Sequence, residues 1–211
     1  MVVLLVSFAV LILKGSGLLL KNDIAIDENN KEKRKEFYKK ETQIEKLGRI
    51  NSEIKLLETK TEKTAKDFAI LGRLYWKKAN LIHSDPEATD VCALSIKAYK
   101  KSIELNPKNS ENYFELANLL IEAFPYRSRN ETVKYLSEGL KHNPKNPGKF
   151  HKKLGDIYTE IFYGIDLDNE VLYKGIAEYE KSLEMEDNLN RKAGLWYKIA
   201  RALHTKYPPL D

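Results

Sequence analysis

The chain has 211 residues, and its 42% apolar and 32% charged content is ordinary for a folded domain with a sizeable core and an appendage. Of its net charge of +5, most comes from residues 31–63, which hold 11 basic and 7 acidic side chains. The rest is nearly neutral and so lacks the broad basic surface that nucleic-acid binding requires. Because Cys92 is the only cysteine, an intramolecular disulfide is excluded.

The N-terminal segment, residues 1–20, is almost wholly apolar and is interrupted around Lys14. It is long enough to span a bilayer if the Lys14 side chain reaches the interface, so we favour a membrane anchor or an uncleaved signal. A cleaved secretory signal and a buried element of the fold stay open as alternatives. We therefore expect a membrane-associated or cell-envelope protein. The side of the membrane stays open, although the basic residues that follow favour the cytoplasmic side.

Residues 21–63 are predicted to form a polar linker and a charged amphipathic helix. Apolar residues recur every three or four positions in this helix, at Ile44, Leu47, Ile50, Ile54 and Leu57. The narrow stripe suits packing of the helix onto the domain that follows, or a short coiled coil. Asn51 and Glu58 interrupt the heptad pattern, which makes the coiled coil the weaker option. The basic residues 31–40 suit either acidic lipid headgroups or a solvated helix face.

The remaining residues, 64–211, repeat one pattern of apolar, small and helix-ending residues. In the first copy, residues 64–107, the pattern falls at Phe68, Leu71, Gly72, Tyr75, Ser95, Tyr99, Ser102 and Pro107. This resembles the tetratricopeptide repeat, in which about 34 residues form an antiparallel pair of helices called A and B. The resemblance implies an all-α fold, a solenoid of helix pairs in which small residues such as Gly72 let a neighbouring helix approach closely.

The later copies span residues 110–144 and 147–187, and a capping helix follows at 190–206. Their matching positions are Tyr113, Leu116, Ala117, Leu120, Thr132, Leu136, Gly139 and Pro144, then His151, Leu154, Gly155, Tyr158, Gly175, Tyr179, Ser182 and Asp187. The capping helix looks like a fourth A helix that covers the last repeat, with an apolar face formed by Trp196, Ile199, Ala200 and Leu203. Because Gly72 and Pro107 are 35 residues apart where the family has about 24, we expect a long-helix version of the repeat.

Local signals agree with these boundaries. Asp85-Pro86 and Asn146-Pro147 are typical of helix starts, with a capping side chain followed by proline at the first helical position. Residues 128–131 predict a capping box at the start of the second B helix.

The resemblance also implies that the A helices line a concave groove that holds a peptide. The family's groove positions correspond here to Arg73, Lys77, Phe114, Glu115, Asn118, Glu122, Lys149, Lys153, Asp156, Tyr197 and Arg201. This lining has mixed charge with a basic end, and it includes aromatic side chains of the kind that dominate peptide-binding energy. The clamp that some relatives use for a terminal carboxylate is not expected, because Ala69, Arg73 and Glu115 stand where Lys, Asn and Asn are needed.

No catalytic, cofactor or metal motif is found in the sequence. The four histidines, of which His151 takes an aromatic core position, have no second ligand at a recognised metal-binding spacing. We therefore predict a scaffold rather than an enzyme, tethered to a membrane and binding a protein or peptide partner, with no cofactor and no nucleic acid. The alternative is a self-associating structural element whose groove is filled by its own N-terminal helix. The sequence leaves the partner and the oligomeric state undetermined.

Overall fold

The structure is a computed structural model that describes residues 42–125, 128–164 and 168–206. These residues form eight helices and contain no strand. Helix α1 covers residues 42–58, and the helices after it are α2 (Ala65–Leu81), α3 (Glu87–Leu105), α4 (Ser110–Ala123), α5 (Arg129–Leu140), α6 (Pro147–Gly164), α7 (Asn169–Glu184) and α8 (Leu189–Lys206). Among the described helices, none combines the length and apolarity that a bilayer span requires, and the predicted anchor at residues 1–20 lies outside the described ranges.

Three helix pairs, α2/α3, α4/α5 and α6/α7, follow one another, and α8 packs against α7. The pairs are antiparallel, because the start of each first helix meets the end of its partner. Ser102, late in α3, donates a hydrogen bond from Oγ to the Ala65 carbonyl over 2.6 Å, and Ser182 in α7 donates to the Gly148 carbonyl over 2.9 Å. The predicted all-α solenoid of helix pairs is therefore confirmed for the described residues.

Small residues on the A helices let aromatic residues of the B helices approach closely. A Cβ atom at Gly72 would lie 2.7 Å from Tyr99 Cδ2, and one at Gly155 would lie 2.6 Å from Tyr179 Cδ1. Both positions therefore require glycine, as the repeat pattern predicted. The long-helix expectation is also confirmed for the first pair, whose helices have 17 and 19 residues, whereas α4 and α5 have 14 and 12.

Helix α1 contributes to two compact units, Met1–Arg49 and Ile50–Asp211. Of the first unit, the structure describes residues 42–49, which are helical and largely exposed. In the second unit, residues 50–58 take the place of a B helix in front of α2. Ile50 and Ile54 are buried in the cluster that holds Leu71, just as the matching Leu116 of α4 is buried in a cluster with Tyr99 of α3. The predicted packing of the stripe onto the repeats is therefore confirmed for these residues.

The predicted capping box at residues 128–131 is wrong. The Ser128 hydroxyl donates to the carbonyl oxygens of Leu120 and Phe124, over 2.8 and 2.7 Å, and makes no capping bond to its own helix. Each of these carbonyl oxygens already accepts a backbone N–H, from Phe124 and Ser128 respectively, and its second lone pair accepts this hydroxyl, so the hydroxyl is not available to cap its own helix. At the other predicted starts, Asp85 Oδ1 accepts from Glu87 N over 2.8 Å and Asn146 Oδ1 accepts from Lys149 N over 3.3 Å.

The structure also buries a different face of the capping helix from the predicted one. The residues of α8 that pack against α7 are Leu195, Ile199 and Ala202, all less than 5% exposed. Trp196, which was expected to help cover the last repeat, is 58% exposed. Helix α8 therefore has two apolar faces, and the structure buries the one formed by Leu195, Ile199 and Ala202.

Candidate functional site

The predicted groove residues lie on α2, α4, α6 and α8, on one side of the A helices that we call the groove face. Five of them are exposed: Arg73, Lys77, Glu122, Tyr197 and Arg201. The other six are half-buried: Phe114, Glu115, Asn118, Lys149, Lys153 and Asp156. The A helices carry these residues, and several of them already contact other side chains of the protein.

Lys149 of α6 contacts two residues of α4 across the groove face. Its Nζ lies 2.6 Å from both carboxylate oxygens of Glu111 and 4.2 Å from the centroid of the Phe114 ring. The Phe114 ring in turn packs on Phe150, with 4.9 Å between centroids. Phe114 is therefore held between a core aromatic ring and an ammonium group, which leaves only part of its surface for a ligand.

Asp156 ties α6 to α7 and α8. Its carboxylate accepts a hydrogen bond from the Tyr179 hydroxyl over 2.8 Å and forms an ion pair with Lys198, whose Nζ lies 5.6 Å from the Tyr179 ring centroid. Burial, together with the nearby Asp156 carboxylate, raises the pKa of Tyr179 above its usual value, so the hydroxyl stays a donor. Asp156 was predicted as a ligand contact, and it also joins three helices.

Between α2 and α4 the groove face holds a hollow of about 360 Å³ with charges of both signs, lined in part by Arg73, Glu111 and Glu115. Burial, reinforced by the Glu111 charge, raises the pKa of Glu115, while Lys149 and Arg73 act in the opposite direction. This hollow therefore offers a ligand no single sign of charge.

A second hollow, between α6, α7 and α8, is basic. It has a volume of about 360 Å³, and its charged lining residues are Lys149, Lys152, Arg191, Lys198 and Glu186. Its floor includes Gly194, where an added Cβ would meet nothing within 4 Å. Four cations facing one carboxylate, beside open space, make this hollow suited to acidic groups. We call it the basic hollow.

Several residues of these hollows were not predicted from the sequence, among them Glu111 and Arg191. Glu111 stands at the repeat position that Lys149 occupies in the next repeat, so the register alone identifies it as a groove residue. Arg191 lies ahead of the repeat pattern in α8 and reaches the basic hollow only through helix packing. No sequence signal distinguishes it from other exposed arginines.

The described ranges contain no group of three histidine, cysteine or acidic side chains placed to hold a metal ion. His151 was expected to pack in the core; its side chain is 13% exposed, and Nδ1 lies 2.6 Å from Glu178 Oε2 of α7. This contact joins the two helices of the third pair. Cys92 is buried, and burial raises the pKa of its thiol, which lowers its reactivity.

Comparisons with known proteins agree with this geometry. Residues 98–130, from α3 to the start of α5, match the family model described as tetratricopeptide repeat. Among solved structures, the chain is similar to the crystal structure of MamA, with a TM-score of 0.52 and 19% sequence identity over 80% of this chain and 82% of that chain. At this identity the similarity concerns the fold alone. None of the curated proteins matches the chain.

Proposed function

We propose that this chain, of which residues 98–130 match the tetratricopeptide-repeat family model, is a membrane-tethered scaffold that binds a partner polypeptide along the groove face. The fold suggests a protein–protein interaction scaffold, and such helical scaffolds generally act by binding rather than by catalysis. The finer proposal is that an acidic segment of the partner binds in the basic hollow. The observation that carries it is the convergence of Lys149, Lys152, Arg191 and Lys198 on one cavity.

The ion pairs already present leave this cavity basic. Lys149 is paired with Glu111, Lys198 with Asp156 and Arg191 with Glu186, whereas Lys152 is exposed. An incoming carboxylate would therefore meet Lys152 first and share the other three cations with their present partners. The open space at Gly194 lets a peptide backbone approach α8.

The groove face is accessible beside α1. Residues 50–58 bury Ile50 and Ile54 in the cluster around Leu71, on a different side of α2 from Arg73 and Lys77, which are exposed. The described end of the N-terminal helix therefore does not fill the groove at α2. This observation favours an external partner over the alternative in which the chain occupies its own groove.

The test is affinity capture with the full chain from native membranes, comparing the wild type with Lys152→Glu. The expected result is that one partner is captured by the wild type and lost with the variant, because the added carboxylate repels an acidic segment. Lys134→Glu is the matched control, since Lys134 is an exposed lysine on the B helix α5. Equal capture by both variants and the wild type would contradict binding in the basic hollow.

We also propose that residues 1–20 hold the protein on the membrane. The support is their apolar sequence, which is long enough for a bilayer span. Deletion of these residues is expected to release the protein from membrane pellets after an alkaline wash, which the full chain should withstand. If the shortened chain stays in the pellet, the attachment lies elsewhere, and the basic residues 31–40 become the next segment to change.

A further inference from the structure

The last described helix, α8, is an A helix by its register. Its buried residues Leu195, Ile199 and Ala202 pack on α7, and their spacing equals that of Phe150, Leu154 and Ile157, three buried residues of the A helix α6. In this alignment Trp196, Ala200 and Leu203 correspond to His151, Gly155 and Tyr158.

In the three preceding A helices, the small residue of this second set lies against the B helix of the same pair. Gly72 and Gly155 lie directly under the rings of Tyr99 and Tyr179. Ala117 of α4 is completely buried, in one cluster with Leu136 of the B helix α5. A glycine on the A helix thus packs against a tyrosine of the B helix, and an alanine packs against a leucine.

On α8 the same face is open. Leu189 is 81% exposed, Trp196 58% and Leu203 40%, and Ala193 and Ala200 are exposed between them. These five residues recur at intervals of three or four, so they form one continuous apolar stripe along the helix. No helix among residues 42–125, 128–164 and 168–206 covers this stripe, which we call the open face.

The charge of α8 indicates which kind of partner covers the open face. Helix α8 contains five basic residues and no acidic residue. Lys192 lies within one turn of both Leu189 and Trp196, and His204 lies one turn after Ala200. A second copy of α8 placed on the open face would bring like charges together, whereas an acidic helix would be attracted.

The shape of the open face favours a helix over a lipid surface. Ala200 forms a notch between the larger Trp196 and Leu203, at the position where the earlier pairs receive a side chain of the covering helix. Binding to a membrane surface requires only apolar area beside basic residues, so a notch would contribute nothing to it.

We propose that the open face of α8 binds an acidic amphipathic helix of a partner protein, which takes the place of a fourth B helix and sets a leucine against Ala200. Leucine is expected because Leu136 of α5 lies in one cluster with Ala117 of α4, the residue that corresponds to Ala200. This site is separate from the basic hollow and does not depend on the function proposed above.

The probe is a labelled 16-residue peptide with the sequence of α7, Asn169–Glu184, carrying the substitution Tyr179→Leu. It contains four glutamates and two lysines, and it keeps the spacing of a covering B helix. We expect saturable binding to the full chain in detergent, measured by fluorescence anisotropy. A peptide with the four glutamates replaced by lysine should bind about tenfold more weakly or not at all.

Variants of the chain locate the site. Trp196→Ala and Leu203→Ala should each weaken peptide binding, by about tenfold for the tryptophan. Leu94→Ala is the matched control, because Leu94 is a leucine of similar exposure, 44%, on α3. The control should bind as the wild type does. Binding that Lys152→Glu abolishes and Trp196→Ala leaves unchanged would place the peptide in the basic hollow instead.

Three outcomes would overturn the proposal. The first is the absence of saturable peptide binding, or binding that Trp196→Ala leaves unchanged. The second is a wild-type dimer, seen by light scattering, that Trp196→Ala converts to monomer, since the open face would then belong to a second copy. The third is binding to anionic phosphatidylserine vesicles, beyond that of neutral vesicles, which Trp196→Ala removes. That result would assign the face to a membrane.

Discussion

Helices α4 and α8 carry the same A-helix pattern, but they lie in different surroundings. In α4, Tyr113, Ala117 and Leu120 are 5%, 0% and 3% exposed, because α3 covers one side of the helix and α5 another. In α8, the matching Trp196 and Leu203 are 58% and 40% exposed, because α7 is the described helix that packs on it. The repeat pattern thus marks a position in the fold, whereas the neighbouring helices decide whether that position is core or surface.

The largest expected difference in stability between α4 and α8 is at the last position of the pattern, where both helices have leucine. Leu120→Ala should lower the free energy of unfolding by about 3 kcal/mol, because it removes buried methyl groups and leaves a cavity. Leu203→Ala should lower it by about 1 kcal/mol or less, since its side chain is already 40% exposed. Urea unfolding followed by circular dichroism measures both. Equal losses would mean that the open face is covered.

The next largest expected difference in stability is at the small residue of the pattern, which is Gly155 in the A helix α6 and Ala200 in α8. Gly155→Leu should destabilise the fold by about 2 kcal/mol, because the Tyr179 ring and the Gly175 carbonyl leave no room for a side chain. Ala200→Leu should change stability by about 0.5 kcal/mol or less, since Ala200 is exposed and leucine is a good helix former. Thermal unfolding of the two variants checks this, and a large loss for Ala200→Leu would contradict the register of α8.

The smallest effect concerns the opposite end of the repeats, where residues 50–63 cover α2. The Asp67 carboxylate accepts hydrogen bonds from Lys60 Nζ over 2.6 Å and from Thr64 N over 2.8 Å. These bonds hold the pKa of Asp67 well below its usual value of 3.8, so the folded protein favours the ionised form. The resulting stability is fully present above pH 3.8 and is lost as the pH falls toward the lowered pKa.

Asp67→Asn should therefore lower the unfolding midpoint at neutral pH, and the difference from the wild type should shrink as the pH falls below 3.8. Asp187→Asn, at an exposed aspartate, serves as the control and should show no such pH-dependent difference. A difference for Asp67→Asn that stays constant down to pH 2 would show that the ionised carboxylate is not what stabilises this end.

Much of the fold could be predicted from the sequence, because its determinants are local. Apolar residues at helical spacing, proline after Asn146 and a glycine opposite a tyrosine each act within one helix pair. The capping box at Ser128 could not be excluded from the sequence, since the competing acceptors belong to the preceding helix. The repeat pattern assigned the groove positions to the A helices, but the pairing of Lys149 with Glu111 joins residues 38 positions apart and required the packed structure.

The sequence by itself determined that this protein is built from paired helices and which residues of each A helix belong to the repeat pattern, because that periodicity is a property of neighbouring residues. The tertiary structure decided which of two apolar faces of α8 is buried and which cations meet in the basic hollow. Both depend on which helix lies alongside, and burial and ion pairing are set by neighbours that are distant in the chain.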